Sequence, residues 1–251
     1  MTLTLTPLPG IPLISPGDHL SNIILSSLES LSIKLEDGDI LVLAQKIVSK
    51  AEGRMVDLAE VKPKPTAEEL ARTTGKDPRL VELILQESTR VIRARPNLLI
   101  VEHNLGFISA NAGIDHSNVS AEGGSVLLLP KDPDASAQTL RGQLEDSSKC
   151  RLGVLIIDSH GRAWRNGTLG ATIGLSGLPG LVDLRGHEDL FGRRLLATQV
   201  GAADELAAAA SLVMGQAAES SPIVHARGFP YPLREAKLSE LLRPKEQDLF
   251  R

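Results

Sequence analysis

Two short stretches, each beside an apolar run, hold the side chains best suited to chemistry. The first is Asn111-Ala112-Gly113-Ile114-Asp115-His116-Ser117-Asn118, between the strand-like run 106–110 and Gly123-Gly124, which open a second apolar run, 125–129. The second is Asp158-Ser159-His160-Gly161-Arg162, which ends the apolar run 152–157. Asp supplies a hard oxygen for a cation, and glycine lets backbone approach a ligand. Asn and Asp also favour turns through local hydrogen bonds, so composition alone leaves an Asx-rich turn as the plainer reading of 111–118. Recurrence of the pattern favours the pair: Asp115 and Asp158 could meet on one cation. His116 and His160 follow closely and suggest a His/Asp metal hydrolase, but alternation along extended chain is expected to turn both away from the aspartates' face.

A third stretch carries positive charge. Gln45-Lys46-Ile47-Val48-Ser49-Lys50-Ala51-Glu52-Gly53-Arg54 follows a short buried-strand pattern at 40–44. Ammonium groups and backbone N–H at a strand end suit phosphate. An amphipathic segment with solvated lysines fits the same residues equally well. The chain contains no Walker A loop and no Rossmann fingerprint. Arg162 suits a phosphate or a structural ion pair, and Trp164, the only tryptophan, is expected to pack rather than to serve a ligand.

The elements that must position these residues follow from periodicity and punctuation. Residues 2–8 alternate Thr and Leu as a strand does, and Pro9 and Pro12 stiffen the next turn. Asp18 is expected to cap a helix marked by Leu20, Ile24, Leu28 and Leu31. Residues 62–95 read as a helical insertion, with a Thr66/Glu69 capping box, a break at Gly75 and a second helix capped by Asp77. A hairpin is expected across Pro96-Asn97, with Arg90, Arg93 and Arg95 as a solvated face. Asp134 is expected to cap a helix over 135–145, and 195–200 to form a strand. Gly167, Gly170, Gly174 and Gly177 recur every three or four residues, a spacing for close backbone packing or ligand approach. An Ala-rich helix over 203–214, a strand over 223–226 and a polar helical tail from Tyr231 complete the chain. Strands and helices mix without regular βαβ alternation, so the expected class is α+β. The expected organisation is one two-part domain over 1–251, with the insertion at about 62–95 and the polar tail at about 231–251.

Composition excludes several functions. The 251 residues are 42% hydrophobic and 23% charged with a net charge of −4, which exerts no pull towards nucleic acid or an anionic membrane. Aromatics at 2% argue against base-stacking platforms. Cys150 is the only cysteine, so neither an internal disulfide nor a cysteine zinc site can form; a reducing cytoplasm is the expected location. No stretch reaches the roughly 18 apolar residues of a spanning helix.

Taken together and in order, several motifs resemble one family. They are Leu8-Pro9-Gly10-Ile11-Pro12-Leu13-Ile14, the 45–54 segment, the 111–118 segment, the Leu128-Leu129-Pro130 run to Asp134, and Ile157-Asp158-Ser159 with Gly161-Arg162. The glycine series, Ala203-Asp204-Glu205 and Met214-Gly215 continue it. The pattern is similar to that of the coenzyme F420-0:L-glutamate γ-glutamyl ligases over about residues 5–230.

That resemblance implies a two-part α+β ligase fold, an intertwined homodimer, and a GTP-dependent reaction. Glutamate would be joined to coenzyme F420-0 and then to the growing γ-linked tail, through an acyl phosphate, with Mn²⁺ or Mg²⁺ (two ions) and K⁺. By position, the resemblance makes Asp115 and Asp158 metal-ligating and catalytic, with Ser159 and Gln216 as further ligands. It assigns nucleotide contacts to Pro9, Gly10, Ile11, Pro12, Gln45, Lys46, Ser49, Lys50 and Asn118. The loop Met214, Gly215, Gln216, Ala217, Ala218, Glu219, Ser220, Ser221 would close on the nucleotide. Ser159 and Gln216 stand where the family pattern carries Thr and Glu; the hydroxyl is kept, while the amide lacks the charge. A metal-dependent phosphohydrolase, or a nucleotide- or deazaflavin-binding protein without catalysis, are the alternatives.

Overall fold

A computed structural model describes residues 2–116 and 124–248. The first half contains β1 (Thr4–Pro7), α1 (Leu20–Ser30), β2 (Ile40–Ala44), α2 (Gln45–Ala51), β3 (Met55–Asp57), α3 (Pro65–Thr74), α4 (Pro78–Gln86), β4 (Ser88–Arg95) and β5 (Leu98–His103). Then come β6 (Ile108–Ala110), β7 (Ser125–Leu127), α5 (Pro133–Ser148), β8 (Gly153–Arg162) and β9 (Arg165–Ser176). The short β10 (Val182–Asp183) and β11 (Gln199–Val200) precede α6 (Ala202–Met214) and β12 (Ile223–Arg227). The class is α+β, as expected.

A five-stranded sheet in the order β1-β12-β2-β8-β9 organises the molecule. Only β2 and β8 pair in parallel, from Ile40↔Gly153 to Ala44↔Ile157. Both are buried on two faces, which is why each reads as an unbroken apolar run. Leu41, Leu43, Val154 and Ile156 face α1 and α5, while Ile40, Val42, Leu155 and Ile157 face α6. A third core, including Val81, Ile84, Leu99 and Val101, joins α3 and α4 to the β4-β5-β6 sheet. Among the described residues no helix is long and apolar enough to cross a membrane.

Gly170, Gly174 and Gly177 of the glycine series serve close packing, whereas Gly167, with φ of 83°, has open space around it. A Cβ on Gly170 would stand 2.5 Å from Ala207 O in α6, and one on Gly174 would stand 2.5 Å from Pro133. The small residues of α6 and the glycines of β9 thus let helix and strand backbones touch.

Several expected boundaries move. Pro65 already occupies the first turn of α3, with Lys64 at the N-cap, so Thr66 lies inside the helix and the Thr66/Glu69 box does not form. His19 precedes α1, and Asp18 instead accepts from Ser15 N at 2.8 Å, closing the turn before it. Asp132, not Asp134, caps α5 by accepting from Ala135 N. Asp134 reaches outward, accepting from Leu175 N at 2.9 Å and Leu238 N at 3.0 Å, and so ties α5 to β9 and to the C-terminal segment. The strand expected over 195–200 shortens to two residues, because 184–198 forms an arm with no core to cover it: Leu190, Phe191 and Leu196 are exposed. Among the described residues the tail holds only single 3-10 turns at Leu238–Glu240 and Lys245–Gln247; Pro230, Pro232 and Pro244 interrupt a helix.

Candidate active site

The parallel pairing of β2 and β8 brings their carboxyl ends together, the position at which α/β sheets bind ligands. A cleft of about 390 Å³ opens there, walled by residues 11–14, 44–47 and 157–159 and covered by 214–222.

Asp115 reaches this end from the other lobe. Its backbone is pinned to β7, donating to Leu127 O at 3.0 Å and accepting from Leu127 N at 2.9 Å. The turn before it is left-handed at three successive residues, Asn111, Ala112 and Gly113, with φ of 53°, 54° and 66°. Non-glycine residues in that region cost about 1–2 kcal/mol each. Gly113 is also constrained by space, since a Cβ there would lie 2.7 Å from Leu129. A turn is therefore present and it aims the aspartate, but backbone closes it: Ile114 N donates to Asn111 O at 3.0 Å, while Asn111 Oδ1 has no partner among the described residues.

The Asp115 carboxylate accepts from Gln45 Nε2 at 2.9 Å, and Lys46 Nζ lies 3.4 Å from the same oxygen. Burial pushes this carboxyl above the ordinary range; Lys46 opposes the shift, and the neighbouring charge of Asp158 adds to it. Burial, and then Lys46, lower Lys50 from the usual lysine value, so two ammonium groups share one wall. Opposite, Ser159 Oγ donates to Gln216 Oε1 at 2.7 Å, and Gln216 Nε2 donates to Ser211 Oγ at 2.8 Å.

Sequence comparison relates this chain to known proteins. The model of the family described as F420-0:Gamma-glutamyl ligase matches residues 10–228. The coenzyme F420:L-glutamate ligase of Methanothermobacter thermautotrophicus is 47% identical over 253 residues, covering 100% of both chains. Those of Methanopyrus kandleri and Archaeoglobus fulgidus are 44% and 41% identical, covering 100% of this chain and 98% and 97% of theirs. The chain belongs to the F420-0:γ-glutamyl ligase family. It is a ligase.

The fold of this ligase gathers much of the expected site. Ile11, Pro12, Gln45, Lys46, Lys50, Asp158, Ser159 and residues 214–221 all line the cleft. Pro9 and Gly10 do not: Pro9 O accepts from Ser27 Oγ and holds the turn onto α1. Ser49 is fully buried and donates to Gln45 Oε1 at 2.8 Å, so it orients the amide that holds Asp115 instead of meeting a ligand. Asn118 lies outside the described residues.

The donor set fits a hard divalent ion. Two carboxylates whose charges repel, a hydroxyl and an amide oxygen are oxygen ligands of the kind Mg²⁺ and Mn²⁺ take. Among the described residues no group of three or more His, Cys, Asp or Glu could hold a metal, so the protein offers only part of a coordination shell. Phosphate oxygens and water would supply the rest.

One expectation fails. His160 lies two residues beyond Asp158, and residues two apart on a strand share a face. Its Nε2 stands 3.1 Å from Asp158 Oδ2, outside hydrogen-bond direction. Phe107 packs between His160 and His103, its ring 5.0 Å from each. Sequence reasoning missed this stack and Ser211; the Asp158-x-His160 spacing was the available signal for the first.

His103 is buried, accepts from Leu105 N through Nδ1, and has its Nε2 3.9 Å from Glu87. Burial, then His160 and Arg54, push its pKa down to about 4. The unfolded chain therefore takes up this proton first as pH falls. Stability from His103 is complete above pH ~6.5 and declines towards pH ~4, by about 3 kcal/mol in total. Urea midpoints at pH 7 and pH 4.5 should differ less in His103→Gln than in the parent; equal differences would rule this out.

Proposed function

We propose that the chain is a GTP-dependent ligase that joins the amino group of L-glutamate to the carboxylate of coenzyme F420-0. It then adds γ-linked glutamates to the growing tail. The observation that carries the reading is one cleft lined by Lys46, Lys50, Asp158 and Ser159, with Asp115 beside it, its carboxylate 3.4 Å from Lys46 Nζ. A carboxylate is a poor acyl donor, so phosphorylation precedes attack by the amine. The γ-phosphoryl group passes to the acceptor carboxylate with GDP leaving, and the amine then displaces phosphate from the acyl phosphate.

This chemistry requires positioning and charge neutralisation more than a protein nucleophile. Accordingly, Cys150 is remote from the cleft and packs against Leu35 O. Lys46 and Lys50 would neutralise phosphate oxygens, and residues 214–221 would exclude water. Asp115, Asp158, Ser159 and Gln216 would hold Mn²⁺ or Mg²⁺, in a two-ion arrangement, with K⁺ as a further activator. Such ions would supply positive charge to offset that of the phosphate and carboxylate oxygens.

The reading includes a homodimer in the reducing cytoplasm. Leu190, Phe191 and Leu196 on the 184–198 arm are 98%, 86% and 87% exposed, which suits burial against a second copy.

Mass spectrometry of coenzyme F420-0 incubated with the protein, GTP, Mn²⁺ and L-glutamate tests the activity. A ladder of glutamyl additions with matching GDP release is expected; GDP release without a ladder would make the protein a phosphohydrolase. Lys50→Ala is expected to raise KM for GTP about tenfold while changing that for glutamate less than twofold, as for loss of a charge-assisted phosphate contact. The reverse pattern in initial-rate kinetics would move Lys50 to the amine site.

A further inference from the structure

The hairpin joining β8 to β9 runs on beyond the sheet, and residues 161–168 are exposed. At its tip stands Trp164, 88% exposed, with φ of 65°. Sequence reading expects the only tryptophan to pack; here it covers no core. A bulky side chain in the left-handed region is a backbone outlier, and outliers of this kind concentrate at ligand sites. Arg162 and Arg165 face each other across the last pair of the ladder. Like charges placed directly opposite work against a sheet. Neither guanidinium has a carboxylate partner among the described residues; Arg162 donates only to Asn166 O, at 3.3 Å.

An exposed indole, a left-handed tryptophan and two facing arginines each cost the fold something, and the one contact among them is the 3.3 Å bond from Arg162 to Asn166 O. Their chemistry matches a ligand with a planar aromatic head and an anionic linker, since indole stacks on π-systems and guanidinium pairs with phosphate. Position adds to this. Asp158 and Ser159 stand in the cleft on the same strand, and at strand rise Arg162 lies about 10 Å farther along than Ser159, with Trp164 in the turn just beyond it. A polyol phosphodiester linker spans that order of length. An acceptor could therefore present its carboxylate in the cleft while its head rests on the tip.

We propose that Trp164, with Arg162 and Arg165, forms the platform for the aromatic head and phosphodiester of the acceptor. This rests on the ligase reading given above. Trp164 stacks on the deazaflavin ring and the two arginines neutralise the phosphodiester, so the tip sets acceptor affinity without touching the reacting atoms.

The test uses the full-length protein and its Trp164→Gly and Trp164→Phe variants. Glycine suits the left-handed position, so Trp164→Gly should melt no lower than the parent. Its KM for coenzyme F420-0 should rise about tenfold or more, with KM for GTP within twofold, and Trp164→Phe should recover most of the loss. With one tryptophan in the chain, quenching of its emission by coenzyme F420-0 without GTP reads the contact directly. Unchanged acceptor KM in Trp164→Gly, or no quenching, overturns the platform. So does a fall from dimer to monomer in light scattering of that variant, which would assign the tip to a second copy. If the parent makes no glutamylated product, the ligase reading falls, and quenching alone decides whether the tip binds the deazaflavin.

Discussion

Asp115→Asn is expected to lower the rate of ligation about a thousandfold or more, close to 4 kcal/mol of transition-state stabilisation, while the protein melts at the same temperature or higher. The two halves of this result have one cause. Asp115 is held in a place that burial and Asp158 make unfavourable for its charge, so its pKa is raised. At neutral pH the ionised carboxylate therefore detracts from stability, and a neutral isostere removes that penalty. Asn keeps an oxygen for Gln45 Nε2 and Lys46 Nζ, now 2.9 and 3.4 Å from Asp115 Oδ2, so the local geometry has no reason to collapse. What it lacks is the anionic oxygen that a divalent ion would require. Glutamyl transfer, an Mn²⁺ titration and a thermal melt of parent and variant check the pair of effects. Near-normal ligation would remove Asp115 from the catalytic assignment, and a large loss of melting temperature would make its role structural.

Asp39→Asn should do the opposite: destabilise strongly and leave the cleft unaffected. Asp39 is 1% exposed at the amino end of β2, away from the catalytic end. Burial alone would raise its pKa, but two hydrogen bonds from Arg227, at 2.8 and 2.7 Å, outweigh it together with His225 and Glu36 N. The result is a carboxyl held well below the ordinary range. Removing one partner of such a group leaves Arg227 and His225 facing a neutral amide in a buried place, at a cost of about 3–5 kcal/mol. For a domain of this size the melting temperature should fall by roughly 10 °C. The sign of the pH dependence follows from the depressed pKa. The stabilisation is present above the unfolded value near pH 4 and is lost as pH falls below it. The parent should therefore lose more stability than Asp39→Asn on acidification from pH 4 to pH 2. Equal losses in denaturant titrations would contradict this, and a fall in kcat per folded molecule at pH 7 would show coupling between the two ends of the sheet.

Local sequence carried a good deal of this molecule. The apolar runs at 40–44 and 152–157 lack alternation because both faces of β2 and β8 are buried, and that alone marks them as central strands. Gly75, Asp77 and the Pro96-Asn97 turn do locally what their residue types dictate: Gly75 adopts φ of 70° and Asp77 accepts from Arg79 N. The oxygen-rich stretches around Asp115 and Asp158, and the lysines after β2, could likewise be picked out from composition and order.

Convergence could not. Gln45, Ser49 and Lys46 look from sequence like three phosphate contacts, yet Ser49 holds Gln45 and Gln45 holds Asp115, seventy positions away. Two acids two residues apart, Asp132 and Asp134, compete for one helix end, and the winner is decided by Leu175 and Leu238, which claim Asp134. His160 shares the face of Asp158 and meets Phe107 from the other lobe, while Ser211 reaches Ser159 only through Gln216. Residue type and spacing set which segments form strands, helices and turns, because those depend on neighbours a few positions away. Which side chains meet depends on strand register and on the parallel pairing of β2 with β8, and that is fixed by burial over the whole chain.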